Sequence, residues 1–591
     1  MFRAKQTSIK LPLTWAGILL VLVSNLVHAD YLLIRNGTLI DMTGAAPVAN
    51  AHVLINDDVI ERIWIGSDRS QNVPSGTTII DASGKYVIPG LIDSHVHYNW
   101  YMGELFLSHG ITTVADLGSR IYWQKAIQKG LNSGKLRGPR YLFCGRIGGD
   151  APLNHATSPQ RQLFARASKP GEARKAVENI KANADCVRLG KDTEDELFKA
   201  ITREANRAGM GVIAHSYDAR HSADVGLNGI EHLEGVALAT IRSRAGLQAV
   251  EKMQLEEGHK NPLLYQWMEK RHYDEVIKKL VDNNVYLNPT FIHEWVGVVD
   301  RTPEFEQDDL LLFTHPQLQY YPMDEKLVSL SQYHWADQAM GDVDNDQQVF
   351  VNNSYFIPAR GLKQSLATGY TKIQDFLKRF VDAGGKLYSG TDTAASSTPG
   401  ISLHHEMQLL VDAGISEMHT LLSSTRWAAE VLRMDDRLGT IEAGKLADIV
   451  ILDANPLDNI ANTKKIDRLF MAGKEIDLGY HADYSNPFPQ HGTVSKHQYH
   501  QTPVISNIIP PVAIESSETT ITITGKEFMP ETVALLNGEK LKTEYISDSE
   551  IKATLTPRDT RSPGSHLLGA QTPAPGGGLA VPVEFIIDYS E

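Results

Sequence analysis

The chain has 591 residues, 42% of them hydrophobic and 22% charged, and a formal net charge of −14. It is too long for one ordinary domain, and its composition is that of a folded globular protein, which excludes a disordered chain. The acidic balance, with no long Lys/Arg run against it, excludes nucleic acid as the partner, because phosphate binding needs a basic face.

Residues 1–29 read as a secretory leader. Arg3, Lys5 and Lys10 precede the apolar run LPLTWAGILLVLVSNLV, which ends in a small-residue cleavage pattern around Val27 and Ala29. At about 17 residues, with Ser24 and Asn25 inside it, the run is short for a bilayer span. Cleavage leaves a mature chain near −17, with 54 basic against 71 acidic residues. An exported protein, periplasmic or secreted, without a stable membrane span is expected.

From Asp30 the chain alternates apolar and polar residues in YLLIRNGTLID, AHVLINDDVIERIWIG and TTIIDASGKYVIPG, punctuated by N-G, D-D and S-G turns. DRLGTIEAGKLADIVILDANPL (436–457) and IDRLFMAGKEI (466–476) have the same character. The two ends, 30–88 and 436–478, are expected to form one small β-sandwich around the domain between them.

Within 89–435 the pattern changes. Eight short apolar runs occur: LIDSHVHY (91–98), ITTVADLGS (111–119), RYLFCGRI (140–147), DCVRLG (185–190), GVIAHSYD (211–218), GIEHLEG (229–235), VYLNPTF (285–291) and KLYSGTD (386–392). Amphipathic stretches such as PGEARKAVENIKANA separate several of them. Strands alternating with helices imply βα units, and eight of them imply an α/β fold of the (β/α)8 TIM-barrel type. Two connections are long, 236–284 and 292–385, and the second is expected to be a helical insertion. Cys144 and Cys186 lie in strand-like runs, where buried thiols are expected rather than a disulfide. Residues 479–502 look like a linker, and 503–591 carry short alternating strands that imply a separate all-β sandwich.

The chemistry sits at the ends of the barrel runs. In LIDSHVHY, His95 and His97 are two residues apart on a strand and so project to one side. His215, His232 and Asp392 end the fifth, sixth and eighth runs. Barrel enzymes gather their catalytic groups at the C-terminal ends of the strands, which brings these five residues to one mouth. Four imidazoles and a carboxylate are costly to bury without a partner, and a metal ion supplies one. Imidazole and carboxylate without thiolate suit Zn²⁺, with Fe²⁺, Mn²⁺ and Co²⁺ as alternatives. Such an ion acidifies bound water and polarises a carbonyl. Asp392 is then placed to take the water proton and deliver it to a leaving nitrogen, while His232 binds metal or hydrogen-bonds the water or oxyanion. Hydrolysis of an amide in a small molecule or peptide follows.

The order PGLIDSHVH, GITTVADLGS, VIAHSYD, GIEHLEG, GTDT and DRLGTIEAGKLADIVILDANPL resembles the amidohydrolase superfamily, most nearly its imidazolonepropionase-like and Xaa-Pro dipeptidase-like branch. The resemblance covers about 31–478. It implies a metal-hydrolase barrel flanked by the split sandwich, with His95, His97, His215, His232 and Asp392 as site residues. The last 90 residues resemble the IPT/TIG family of immunoglobulin-like domains through ITITGKEF, the LLNG turn and the Gly-rich tract before the last strand. Such domains mediate protein contacts or act as spacers.

One departure bears on the metal count. The dipeptidase branch places a lysine at the end of the fourth strand which, once carboxylated, bridges two metals; here Arg188 stands at that position in ADCVRLGKD. A guanidinium neither deprotonates nor ligates. One ion is therefore expected, on His95, His97, His215 and Asp392 with His232 catalytic, while a second stays open through Lys191 or an exogenous bridge. Arg188, Tyr217 and His155 are substrate-contact candidates, Arg188 through a bidentate carboxylate pair, and Tyr98 is a weaker one. The expected substrate is a dipeptide or N-acyl amino acid. A cyclic amide or imidazolone hydrolase is the alternative within enzymes, and a catalytically silent barrel acting as a binding or scaffold protein is the alternative outside them. A homo-oligomer is expected by analogy alone.

Overall fold

The computed structural model describes residues 30–590 except 67–72, 119–120, 149–164, 191–192, 258–261, 297–298, 300, 314–347, 352–354, 359–361, 394–396, 479–502 and 573–577. The expected leader, His155, Lys191 and the 479–502 linker lie outside the described residues.

Seven parallel strands follow one another around the central domain: β1 (Leu91–Val96), β2 (Ile111–Asp116), β3 (Arg140–Gly148), β4 (Cys186–Leu189), β5 (Val212–His215), β6 (Gly229–Glu231) and β7 (Tyr286–Asn288). Every residue of β1 and β2 is buried, as in strands covered on both faces. The segment 386–393 closes the ring as the eighth stave. Tyr388 N donates to Leu287 O at 3.0 Å, and parallel bridges join Leu387 to Leu287 and Thr393 to Val96. On the other edge Ser94 N donates to Ser389 O and His97 N to Thr393 O, at 3.0 and 2.9 Å. The expected (β/α)8 barrel is thus complete, although its last stave makes isolated bridges rather than a continuous ladder.

Amphipathic helices wrap it. In α1 (Ala173–Lys181) the buried residues Ala173, Ala176, Val177 and Ile180 recur every three or four positions and make one apolar stripe. α2 (Asp195–Arg207) buries Leu197, Phe198, Ala200, Ile201 and Ala205, with Asp195 and Glu196 favourably placed near its positive N-terminal end. The long seventh connection contains the helix Leu362–Asp382 and, before it, Thr302–Phe313 and the hairpin Gln348–Val351/Tyr355–Pro358.

The expectation of two buried thiols is corrected. Cys144 on β3 and Cys186 on β4 form a disulfide, with Cα atoms 4.3 Å apart. They are direct partners in the parallel register, a relation that residue spacing along the chain does not reveal.

Flanking the barrel, eight strands from the two ends form one hydrogen-bonded sheet. Ile449–Leu452 pairs antiparallel with Tyr86–Pro89, which pairs parallel with Tyr31–Leu39. This unit has its own core of Leu32, Ile34, Val53, Ile55, Val87, Ile449, Ile451 and Phe470. At the C-terminus, a four-stranded and a six-stranded sheet enclose Ile521, Ile523, Ala534, Ile551, Leu568 and Phe585.

Candidate metal centre

The ends of β1, β5 and β6 and the closing segment carry His95, His97, His215, His232 and Asp392 to one side of the barrel. Sharp backbone turns aim them. His232, Thr290 and Asp392 all adopt left-handed conformations, with φ of 59°, 47° and 52°. For a β-branched residue such as Thr290 that costs on the order of 1–3 kcal/mol, a strain that clusters at functional sites. Gly390 lets the closing segment lie against β1, since a Cβ there would sit 2.5 Å from that of His95.

Asp392 is the hub. Its Oδ1 lies 2.9 Å from His97 Nε2 and 3.3 Å from His95 Nε2. Its Oδ2 lies 3.7 Å from His232 Nε2 and 3.6 Å from His293 Nε2. Among the described residues, donor atoms of His95, His232 and Asp392 all fall within 4.8 Å of one another, and all three residues are buried.

Hydrogen bonds behind the rings fix which nitrogen faces the centre. His95 Nδ1 donates to Glu231 Oε2 at 2.6 Å, leaving Nε2 buried and without a hydrogen bond. The Thr290 hydroxyl donates to Pro289 O at 2.8 Å and so accepts from His232 Nδ1 at 2.7 Å, with Glu294 Oε1 3.4 Å from the same nitrogen. Both rings therefore present the Nε2 lone pair, the state a metal ligand needs. Burial alone would lower the pKa of His95, yet the charges of Glu231 and Asp392 outweigh it and hold it above the ordinary imidazole value, against Arg188. Surroundings that hold a proton on a buried ring attract a cation. The donor set and its orphaned nitrogen thus fit a divalent metal.

On the opposite flank, Arg188 donates from Nη2 to His215 Nε2 at 2.9 Å and from Nη1 to Leu117 O. The His215 ring lies 4.8 Å from that of His232, centroid to centroid. Tyr217 follows β5 and is 41% exposed. Tyr98 does not reach the mouth; it is buried against Phe106 and Tyr141.

Three members escaped the sequence reading. Glu231 precedes His232 in GIEH, and its carboxylate also accepts from Asn288 Nδ2 and Tyr388 OH, each at 2.8 Å. Thr290 and His293 follow β7 in NPTFIH; the NP dipeptide after a strand marks a turn, the one signal available for them. Because Glu231 orients His95, Glu231→Gln is expected to weaken zinc binding about 10–100-fold at unchanged far-UV circular dichroism. Competition against a chromophoric chelator measures this, and an unaltered affinity removes Glu231 from the centre.

The sequence profile of the amidohydrolase family matches residues 86–476, and that of the IPT/TIG domain matches residues 503–574. An uncharacterized protein of Mycobacterium tuberculosis is 36% identical over 90 residues, a stretch covering 14% of this chain and only 14% of that protein. A dihydroorotase of Thermoanaerobacter sp. is 42% identical over 66 residues, 11% of this chain and 14% of that enzyme. Among solved structures, a Xaa-Pro dipeptidase with bound methionine in its active site superposes with a TM-score of 0.51 at 21% identity, covering 76% of this chain and 100% of that one. At that identity the likeness concerns the fold.

Proposed function

The chain belongs to the amidohydrolase family, and on that premise we propose that it is an exported, metal-dependent hydrolase cleaving the amide C–N bond of a dipeptide or N-acyl amino acid. The observation that carries the reading is the buried group of His95, His232 and Asp392 at the C-terminal mouth of the barrel, with His97 on the same carboxylate. These residues would hold one ion, for which the imidazole-rich set favours zinc. When bound, such an ion supplies Lewis acidity, polarising the substrate carbonyl and acidifying water. Asp392 accepts the proton of the attacking water and returns it to the leaving nitrogen. His293, facing the second oxygen of Asp392 at 3.6 Å, helps to hold that carboxylate in place.

The Cys144–Cys186 bridge supports an oxidising compartment, in line with the N-terminal apolar stretch. The IPT/TIG domain is assigned to protein contacts. The likeness to a dihydroorotase favours cyclic amides as the second reading.

Purified protein, stripped with chelator and reloaded with zinc, should hydrolyse members of a panel of dipeptides and N-acyl amino acids, losing activity on stripping and regaining it on reloading. Turnover confined to cyclic amides replaces the substrate reading. Full metal loading with no turnover on any panel supports a binding or scaffold role instead.

A further inference from the structure

The metal-side donors occupy one flank of the mouth, and a fixed cation occupies the other. The guanidinium of Arg188 has donors and no acceptor, so the Nε2 of His215 at 2.9 Å must be the acceptor. That lone pair is then used by Arg188. Leu117 O takes the other terminal nitrogen, which clamps the guanidinium between the ends of β2 and β5. The clamp is tight against β1 as well. A Cβ at Gly118 would lie 2.4 Å from His97 Cε1 and 2.9 Å from Arg188 Nη1, so ring and guanidinium pack over the same glycine.

A divalent ion seated on His215 would meet a permanent positive charge at hydrogen-bond distance from its own ligand. By contrast, His95 Nε2 is buried without a hydrogen bond on the flank where the Asp392 carboxylate lies. We infer that the centre takes a single ion on the His95, His232 and Asp392 flank, and that Arg188, anchored by His215 and Leu117, is its second positive group, directed at the oxygen of the scissile carbonyl as charge develops there. His215 is on this account a positioning residue for Arg188 and not a metal ligand. The inference rests on the hydrolase reading above.

Metal content is the first readout, by equilibrium dialysis of the full chain against zinc alone followed by elemental analysis. Wild type, His215→Asn, His215→Gln and Arg188→Met are each expected to hold one zinc per chain, whereas His232→Asn falls well below one. Steady-state kinetics on a hydrolysed substrate is the second. Arg188→Met is expected to lower kcat about 10²–10³-fold with KM changed less than about threefold, the signature of a lost oxyanion donor. Arg188→Lys, which keeps the charge, is expected to recover part of that loss. Melting curves report whether each variant is folded, and the two His215 variants back each other up.

Loss of zinc from both folded His215 variants overturns the inference, as do two zinc ions per wild-type chain. A rise in KM with kcat unchanged in Arg188→Met makes Arg188 a ground-state binder of a substrate carboxylate and also overturns it. No zinc in wild type defeats the hydrolase reading itself, a result distinct from all of these.

Discussion

Asp392→Asn is expected to lower kcat by ~10³-fold or more while leaving the melting temperature within a few degrees of wild type. General acid–base catalysis by a positioned group contributes about 10²–10⁴-fold, and here the same carboxylate also supplies a metal donor, so the two losses compound. Asparagine keeps the shape and leaves the backbone bond from residue 392 N to His95 O intact, so the left-handed turn survives. What is lost is the anion shared by His95, His97, His232 and His293. The check is kcat beside zinc content and a thermal melt. Activity within tenfold of wild type would take proton transfer away from Asp392.

The second large effect concerns stability. The Cys144–Cys186 bridge spans a sequence separation of 42 residues, and closing a loop of that size restricts the unfolded chain by about 4 kcal/mol on the chain-entropy model. Cys144→Ser/Cys186→Ser is therefore expected to unfold at lower denaturant, with a loss of about 2–4 kcal/mol and little change in zinc affinity. The serine hydroxyls add a desolvation cost, so the pair Cys144→Ala/Cys186→Ala separates polarity from cross-linking. Denaturation of wild type with and without reductant completes the comparison. Equal midpoints in all four samples would mean that the bridge does not constrain the chain.

The barrel and the ends of its strands were legible because parallel strands buried on both faces write continuous apolar runs, and a histidine or aspartate ending such a run stands out. LIDSHVHY and GVIAHSYD show this in β1 and β5. The closing segment KLYSGTD was equally visible as a run, although its pairing reduces to bridges at Leu387 and Thr393. Register between strands was not legible. It sets Cys144 opposite Cys186, and it places Glu231 within reach of His95 across a sequence separation of 136 residues. Thr290 was hidden for another reason. Its role depends on a left-handed backbone that a β-branched residue avoids, so local preference argued against it. Arg188 was recognised as a departure from the family pattern, but its partners His215 and Leu117 emerge only when β2, β4 and β5 are side by side.

The flanking sheet sets the order in which this molecule can be finished. Tyr86–Pro89 is held by Ile449–Leu452, and Ile466–Met471 extends the same sheet. Only Gly90 separates that strand from β1, which carries His95. A chain emerging from a ribosome or a translocon has thus delivered all eight staves before it releases the segment that clasps the first of them. Until then the edge at Tyr86–Pro89 stays open and adhesive, so the last steps of maturation are those most exposed to aggregation and to chaperone capture.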